Sequence, residues 1–254
     1  MILKISNLSR LAYKGWSPDK KINDIEKLKL RVSEYIKYDD IKVQPIDDLL
    51  YFSIEIGQDV FISIRGTNCF KNWLRNCSFW KVKLKNGKVH SGFKKACDQI
   101  YERVNFKYSD NKKKCYHIGG HSFGSAVSML LANKMYENGY NVVWNVGIGS
   151  PRVGDKKYIK NTSKYNFKRI EICNNLDIVT MLPSYLQGYR HYKMLYIEKD
   201  KELVVYDNMT SNLDKIMTFI TSFNLKEFTE DHDSNVYCEL LSRNVKKLKE
   251  LGLE

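Results

Sequence analysis

Apolar positions along the chain change period repeatedly, and each change marks an element. Ile22, Ile25, Leu28, Val32 and Ile36 recur at helical spacing behind Ser17-Pro18, a hydroxyl N-cap with proline in the first turn. They predict an amphipathic helix over residues 18–37. Residues 51–56 and 60–64 are β-rich runs around Gly57-Gln58 and predict a hairpin. Phe93, Ala96, Cys97, Ile100 and Val104 return to helical spacing. Residues 115–118 read as a short strand ending in Gly119-Gly120. A third helix follows at once, with Ala126, Met129, Leu130 and Met135 on one face and Gly139 as its stop. Strands are expected over 141–148 and 167–173, a hairpin of 192–197 with 202–206, and helices at about 212–222 and 233–250. Strands alternating with helices predict an α/β fold, a mainly parallel sheet with helices on both faces. Without internal repeats or a shift in composition, residues 1–254 read as one domain, with 1–40 as an N-terminal helical extension.

Composition narrows the class. The 254 residues are 43% hydrophobic and 28% charged, which excludes disorder, and four prolines and fourteen glycines are too few for a long linker. The longest apolar stretches, 49–54 and 128–132, fall far short of the ~20 residues of a membrane span. The first residues, MILKISNLSRLAYKG, hold no sustained apolar run, so no signal peptide and an intracellular, cytoplasmic place are expected. Cys69, Cys77, Cys97, Cys115, Cys173 and Cys238 are scattered without zinc-site spacing and are expected as reduced thiols. A formal charge of +13 favours phosphate-bearing partners, either nucleic acid or an anionic lipid surface. The longest basic run is only Lys112, Lys113 and Lys114, with no RNA-binding motif, zinc-finger spacing or basic helix beside it, so nucleic acid is not expected.

The candidate chemistry lies in Gly120-His121-Ser122-Phe123-Gly124, a GxSxG pattern. Such a pattern arises by chance at ~0.1 per chain of this length, so its weight comes from its place between a strand and a helix. A serine on that turn is strained, and the residues two before and two after it must lack Cβ, which Gly120 and Gly124 do. The helix that follows aims its positive end at the site. A serine hydroxyl needs a base, and the base a carboxylate to orient it. Two histidines follow Ser122: His191, at the start of a hairpin strand, and His232, in a loop before the last helix. The loop suits a base reaching over the sheet edge. Asp177, in the loop after a strand, is the better-placed carboxylate, ahead of Asp200 and of Asp155 on an exposed helix. Asp231 and Asp233, beside His232, read equally as helix N-caps.

Seven ordered motifs over roughly residues 50–240 resemble the class 3 lipases, the α/β-hydrolases typified by fungal triacylglycerol lipases. They are Ile64-Arg65-Gly66-Thr67, Asn72-Trp73-Leu74-Arg75-Asn76, Val89-His90-Ser91-Gly92-Phe93, the GxSxG turn, Gly149-Ser150-Pro151-Arg152-Val153-Gly154-Asp155, residues 175–183 and residues 231–234. The resemblance implies Ser122 as nucleophile, Asp177 as orienter and His232 as base, with an oxyanion hole from Thr67 and the Phe123 N–H. It implies a helical lid over residues 68–80, where Phe70, Trp73, Leu74 and Cys77 fall on one apolar helical face. Phe70, Trp73, Leu74 and His121 become lid or substrate-binding residues. Lys71, Arg75 and Lys81 suit a helix lying on lipid. Asn76 stands where the family commonly has Asp, and Phe123 and Ser125 where Leu and Gly are commoner. The activity implied is hydrolysis of lipid carboxylic esters, without metal or organic cofactor, with peripheral contact to anionic lipid surfaces. The alternatives are a phospholipase or galactolipase with the same triad, and a non-catalytic lipid-surface binding protein.

Overall fold

Alternation along the strands decides the layering. In the strand Leu49–Ile56, Leu50, Phe52 and Ile54 enter one apolar layer and Tyr51 the other. In Asp59–Ile64, Phe61 joins the first layer, and Val60, Ile62 and Ile64 the second. A strand apolar on both faces must be covered on both. The computed structural model describes residues 1–13, 23–46, 49–66, 80–174, 177–192, 194–197, 203–206 and 232–253.

The strands are β1 (Asp40–Ile46), β2 (Leu49–Ile56), β3 (Asp59–Ile64), β4 (Lys81–Leu84), β5 (Gly87–His90), β6 (Cys115–His121), β7 (Val142–Ile148), β8 (Gly154–Asp155), β9 (Lys168–Asn174), β10 (Tyr189–Arg190), β11 (Met194–Ile197) and β12 (Leu203–Tyr206). The main sheet runs β1-β2-β3-β6-β7-β9-β11-β12. β3, β6, β7, β9 and β11 pair in parallel, while β1, β2 and β12 pair antiparallel at the two sides. This is the α/β-hydrolase arrangement. The helices are α1 (Ile2–Leu11), α2 (Asn23–Tyr35), α3 (Ser91–Tyr108), α4 (Phe123–Glu137), α5 (Lys156–Thr162), α6 (Ser234–Arg243) and α7 (Val245–Glu250). α3 and α4 pack in one apolar layer, and α1, α2, α6 and α7 contribute to the other.

Several elements depart from the expectations. α2 is described from Asn23 onward, and Ser17-Pro18 lies outside the described residues, as does the helix expected at about 212–222. α1 has its apolar residues three apart, at Ile2, Ile5, Leu8 and Leu11, a weak periodic signal that only the sheet beneath it makes legible. α4 is not one-sided: Val127, Ser128, Leu131 and Ala132 are as buried as Met129, because α3 covers the side away from the sheet. It ends as expected, with Gly139 at φ 83° and the Tyr140 N–H on the Met135 carbonyl at 3.1 Å. Asp155, expected on an exposed helix, is the N-cap of α5, accepting from the Tyr158 N–H at 2.8 Å. A second, antiparallel sheet, β10-β8-β5-β4, was not anticipated. Its strands of two to four residues are too short for periodicity to register. It ties the segments after β7 and after residue 183 to the β4–β5 hairpin.

Candidate active site

The turn between β6 and α4 bends sharply at Ser122, which has φ 59° and ψ −130° and is the one non-glycine residue with positive φ among those described. Such a backbone persists only where its surroundings over-determine it. The Ser122 N–H donates to the Ile148 carbonyl at 2.9 Å, and its carbonyl accepts from Ser125 at 3.0 Å as α4 begins. A Cβ on Gly124 would stand 2.2 Å from the Ile64 carbonyl oxygen, and one on Gly120 2.6 Å from the Gly124 backbone. Both glycines are therefore steric requirements of the turn. Phe123 opens α4, so its N–H stands at the positive end of the helix. Its side chain is core, packed edge-on to Phe93.

Loops after β9 and before α6 bring two more groups to Ser122. His232 Nε2 lies 2.8 Å from Ser122 Oγ, and His232 Nδ1 lies 2.8 Å from Asp177 Oδ2. Asp177 is fully buried, and every bond to its carboxylate comes from a donor: the Val179 N–H on Oδ1 at 2.9 Å, the Tyr237 hydroxyl on Oδ2 at 2.6 Å, and His232. A buried carboxylate so surrounded accepts only, so Nδ1 of His232 carries the proton and Nε2 presents a lone pair to the serine hydroxyl. The arrangement can withdraw a proton from Ser122. Asp233 caps α6, accepting from the Asn235 N–H at 2.7 Å, so it takes the N-cap role. Asp231 and Asp200 lie outside the described residues.

His191 is differently engaged. Its Nδ1 bonds to the buried Glu171 carboxylate and its Nε2 to the Thr180 carbonyl at 2.6 Å. The Thr180 carbonyl only accepts, so Nε2 donates to it, and Nδ1 is taken up by the Glu171 carboxylate, which leaves neither ring nitrogen facing a serine hydroxyl. It follows β10 directly and does not open the later hairpin.

Three contributors were missed in the sequence. Tyr237, in the first turns of α6, donates to Asp177 and accepts the Asn174 N–H at 2.9 Å. Its burial beside that carboxylate pushes its pKa well above the ordinary tyrosine value, so it stays a donor. Arg152 donates to the carbonyls of Met181 and Pro183 and so pins the turn that follows Asp177; burial lowers its pKa to about 10. Tyr13 bonds His121. Only the motif around Arg152 carried any prior signal.

His121 is held within the fold. It was placed among the substrate-contacting residues, but it is 4% exposed and bonded at both ring nitrogens, to the Tyr13 hydroxyl and to the His232 carbonyl, each at 2.8 Å. It lies beneath the base, its ring against that of His232. Thr67, Phe70, Trp73, Leu74, Asn76 and Cys77 fall outside the described residues, as does all of the expected lid but Trp80, which is 74% exposed. Cys97, Cys115, Cys173 and Cys238 carry free thiols. Among the described residues, no group of three or more His, Cys, Asp or Glu is placed to hold a metal ion.

Known proteins similar in sequence to this chain include lipases and phospholipases. The chain is 26% identical over 141 residues to a secreted mono- and diacylglycerol lipase 1 of Fusarium solani, covering 53% of this chain and 42% of that protein. It is 30% identical over 152 residues to phospholipase A(1) DAD1, chloroplastic, of Arabidopsis thaliana, covering 50% and 34%. It therefore spans less than half the length of these two relatives. The solved structure of Rhizomucor miehei triacylglyceride lipase superposes with a TM-score of 0.69 at 20% identity, covering 91% of each chain. The expected cytoplasmic place is overturned, since the Fusarium relative is a secreted enzyme. A short N-terminal stretch without an apolar run was too slight a basis for it. The model of the family "Lipase (class 3)" matches residues 61–187, half the chain, a span that holds the strained serine turn and the Asp177 loop. With that match, the chain belongs to the class 3 lipase family.

Proposed function

We propose that the protein is a serine esterase that hydrolyses carboxylic esters of lipids, acylglycerols first. The observation that carries this reading is the unbroken line Asp177–His232–Ser122 at a strained strand-to-helix turn. Ser122 Oγ attacks the ester carbonyl carbon as His232 Nε2 takes its proton. The resulting oxyanion is held by the Phe123 N–H and by Thr67, and Asp177 stabilises the imidazolium. His232 then hands the proton to the departing alcohol, leaving an acyl-serine. Water gives up a proton to His232, attacks the acyl carbon and releases the fatty acid, and the serine regains its hydrogen.

The identity with a mono- and diacylglycerol lipase supports acylglycerols as substrates, while the phospholipase A(1) relative favours phospholipids as the second reading. A silent lipid-binding protein would have no use for a strained serine whose hydroxyl faces an oriented base. Residues 68–80 act as the lid, with Phe70, Trp73 and Leu74 trading burial over the site for burial in acyl chains, and the net charge of +13 adds attraction to anionic headgroups. A panel of p-nitrophenyl esters, mono-, di- and triacylglycerols and phospholipids tests the reading. Release of fatty acid with labelling of Ser122 by fluorophosphonate is expected. No hydrolysis of any ester, or labelling at Ser125 or Ser150, would refute it.

A further inference from the structure

Behind the candidate base, a second chain of hydrogen bonds runs in the opposite direction. The Gly66 N–H donates to the Tyr13 hydroxyl oxygen at 3.1 Å, and the Tyr13 hydroxyl lies 2.8 Å from His121 Nδ1. His121 Nε2 lies 2.8 Å from the main-chain carbonyl of His232. A carbonyl only accepts, so Nε2 carries the hydrogen, Nδ1 presents its lone pair, and Tyr13 donates to it. The fit is close: a Cβ on Gly66 would stand 2.3 Å from the Tyr13 oxygen and 3.1 Å from Ser122 Cβ. The two imidazoles of His121 and His232 lie with ring centroids 4.6 Å apart.

We propose that Tyr13 and His121 form a positioning clamp, locking the backbone of the base loop at His232 to Gly66, two residues beyond β3 and just before Thr67. The inference rests on the esterase reading of the site and deepens it. In that reaction the base and the oxyanion donors must keep one spacing while a proton and a negative charge move between them. They come from chain segments far apart in sequence, and Asp177 orients only the ring of His232. The clamp holds its backbone. Both clamp groups stay neutral for this purpose. Burial, then the neighbouring His232, lowers the His121 pKa well below the ordinary histidine value, so it adds no positive charge beside an imidazolium. Burial raises that of Tyr13, which keeps its proton as donor.

The test uses the full chain with Tyr13→Phe, His121→Phe and His121→Gln. On a soluble p-nitrophenyl ester, Tyr13→Phe should lower kcat about tenfold with KM within about twofold, as expected for one lost hydrogen bond felt in the transition state. His121→Phe should lose more, and His121→Gln should recover part of it, because an amide supplies both a donor and an acceptor. Imidazole nitrogen-15 spectra give a readout independent of turnover: His121 should show the Nε2–H tautomer, and the His232 resonances should shift in Tyr13→Phe. Unchanged kcat in both phenylalanine variants, with only Tm lowered, would overturn the clamp. So would His232 resonances identical in wild type and Tyr13→Phe. A wild-type chain that hydrolysed no ester would refute the esterase reading, while the spectra would still decide the clamp.

Discussion

Among the described residues, two histidines pair with a fully buried carboxylate, and the two pairs differ at one atom. In both, Nδ1 faces a carboxylate inside the fold, Asp177 at 0% exposure for His232 and Glu171 at 1% for His191. The partner of Nε2 separates them. For His232 it is the Ser122 hydroxyl, which has a proton to give; for His191 it is the Thr180 carbonyl, which has none. Glu171 also accepts the Tyr192 N–H at 2.9 Å, so the second pair rivets the segment after β10 to β9. A carboxylate beside a histidine therefore does not make a base. The group facing the other nitrogen does, and it decides whether the pair moves a proton or holds two strands together.

The comparison can be broken most severely at Ser122 and His232. Ser122→Ala and His232→Ala should each lower kcat by about 10⁵–10⁶, since groups that act as a unit lose nearly everything singly. Equal activity of His232→Ala and wild type on a p-nitrophenyl ester would remove the distinction altogether. Asp177→Asn should cost on the order of 10⁴, because an amide can hold the imidazole in the wrong tautomer. His191→Ala should reverse the pattern: kcat within about twofold of wild type, but stability reduced by about 3–5 kcal/mol in urea titration, as Glu171 loses its buried partner. A dead but stable His191→Ala would exchange the roles of the two pairs.

Acid sharpens the contrast between neutral and paired histidines. Burial lowers the pKa of His90 to about 4, and that of His121 also falls well below the ordinary value. His90 stays neutral in order to accept the N–H groups of Gly92 and Phe93 at the start of α3. The unfolded chain takes up these protons first, so their contribution is whole above about pH 6.5 and is lost as pH falls towards 4. Urea midpoints should drop through that window, with His90 alone accounting for about 3 kcal/mol. A midpoint flat from pH 7 to 4 would contradict it. Tyr237→Phe is the mildest change, with an expected tenfold loss in kcat from one hydrogen bond withdrawn from Asp177.

What the sequence determined by itself is local. Alternating residues in β2 and β3 and the strand–GxSxG–helix turn are written within windows of five to ten residues, because backbone sterics and the burial period act at that range. Chain order confined the partners of Ser122 to the residues after it, and loop position favoured Asp177 and His232 without closing the choice. The family resemblance weighted His232, but the resemblance is itself a pattern in sequence. Tertiary structure alone decided what crosses the chain. His191 and His232 each set Nδ1 against a carboxylate, and the placement of Thr180 against one and Ser122 against the other separates them in space. Tyr13 meets His121 across 108 positions, and Tyr237 meets Asp177 across 60, with no periodicity to announce either. The second sheet is built from strands too short to show a repeat, and α4 is buried all round because α3 happens to cover its outer side. Such contacts arise when distant segments are packed against one sheet, and a linear pattern carries no term for the neighbour that packing supplies.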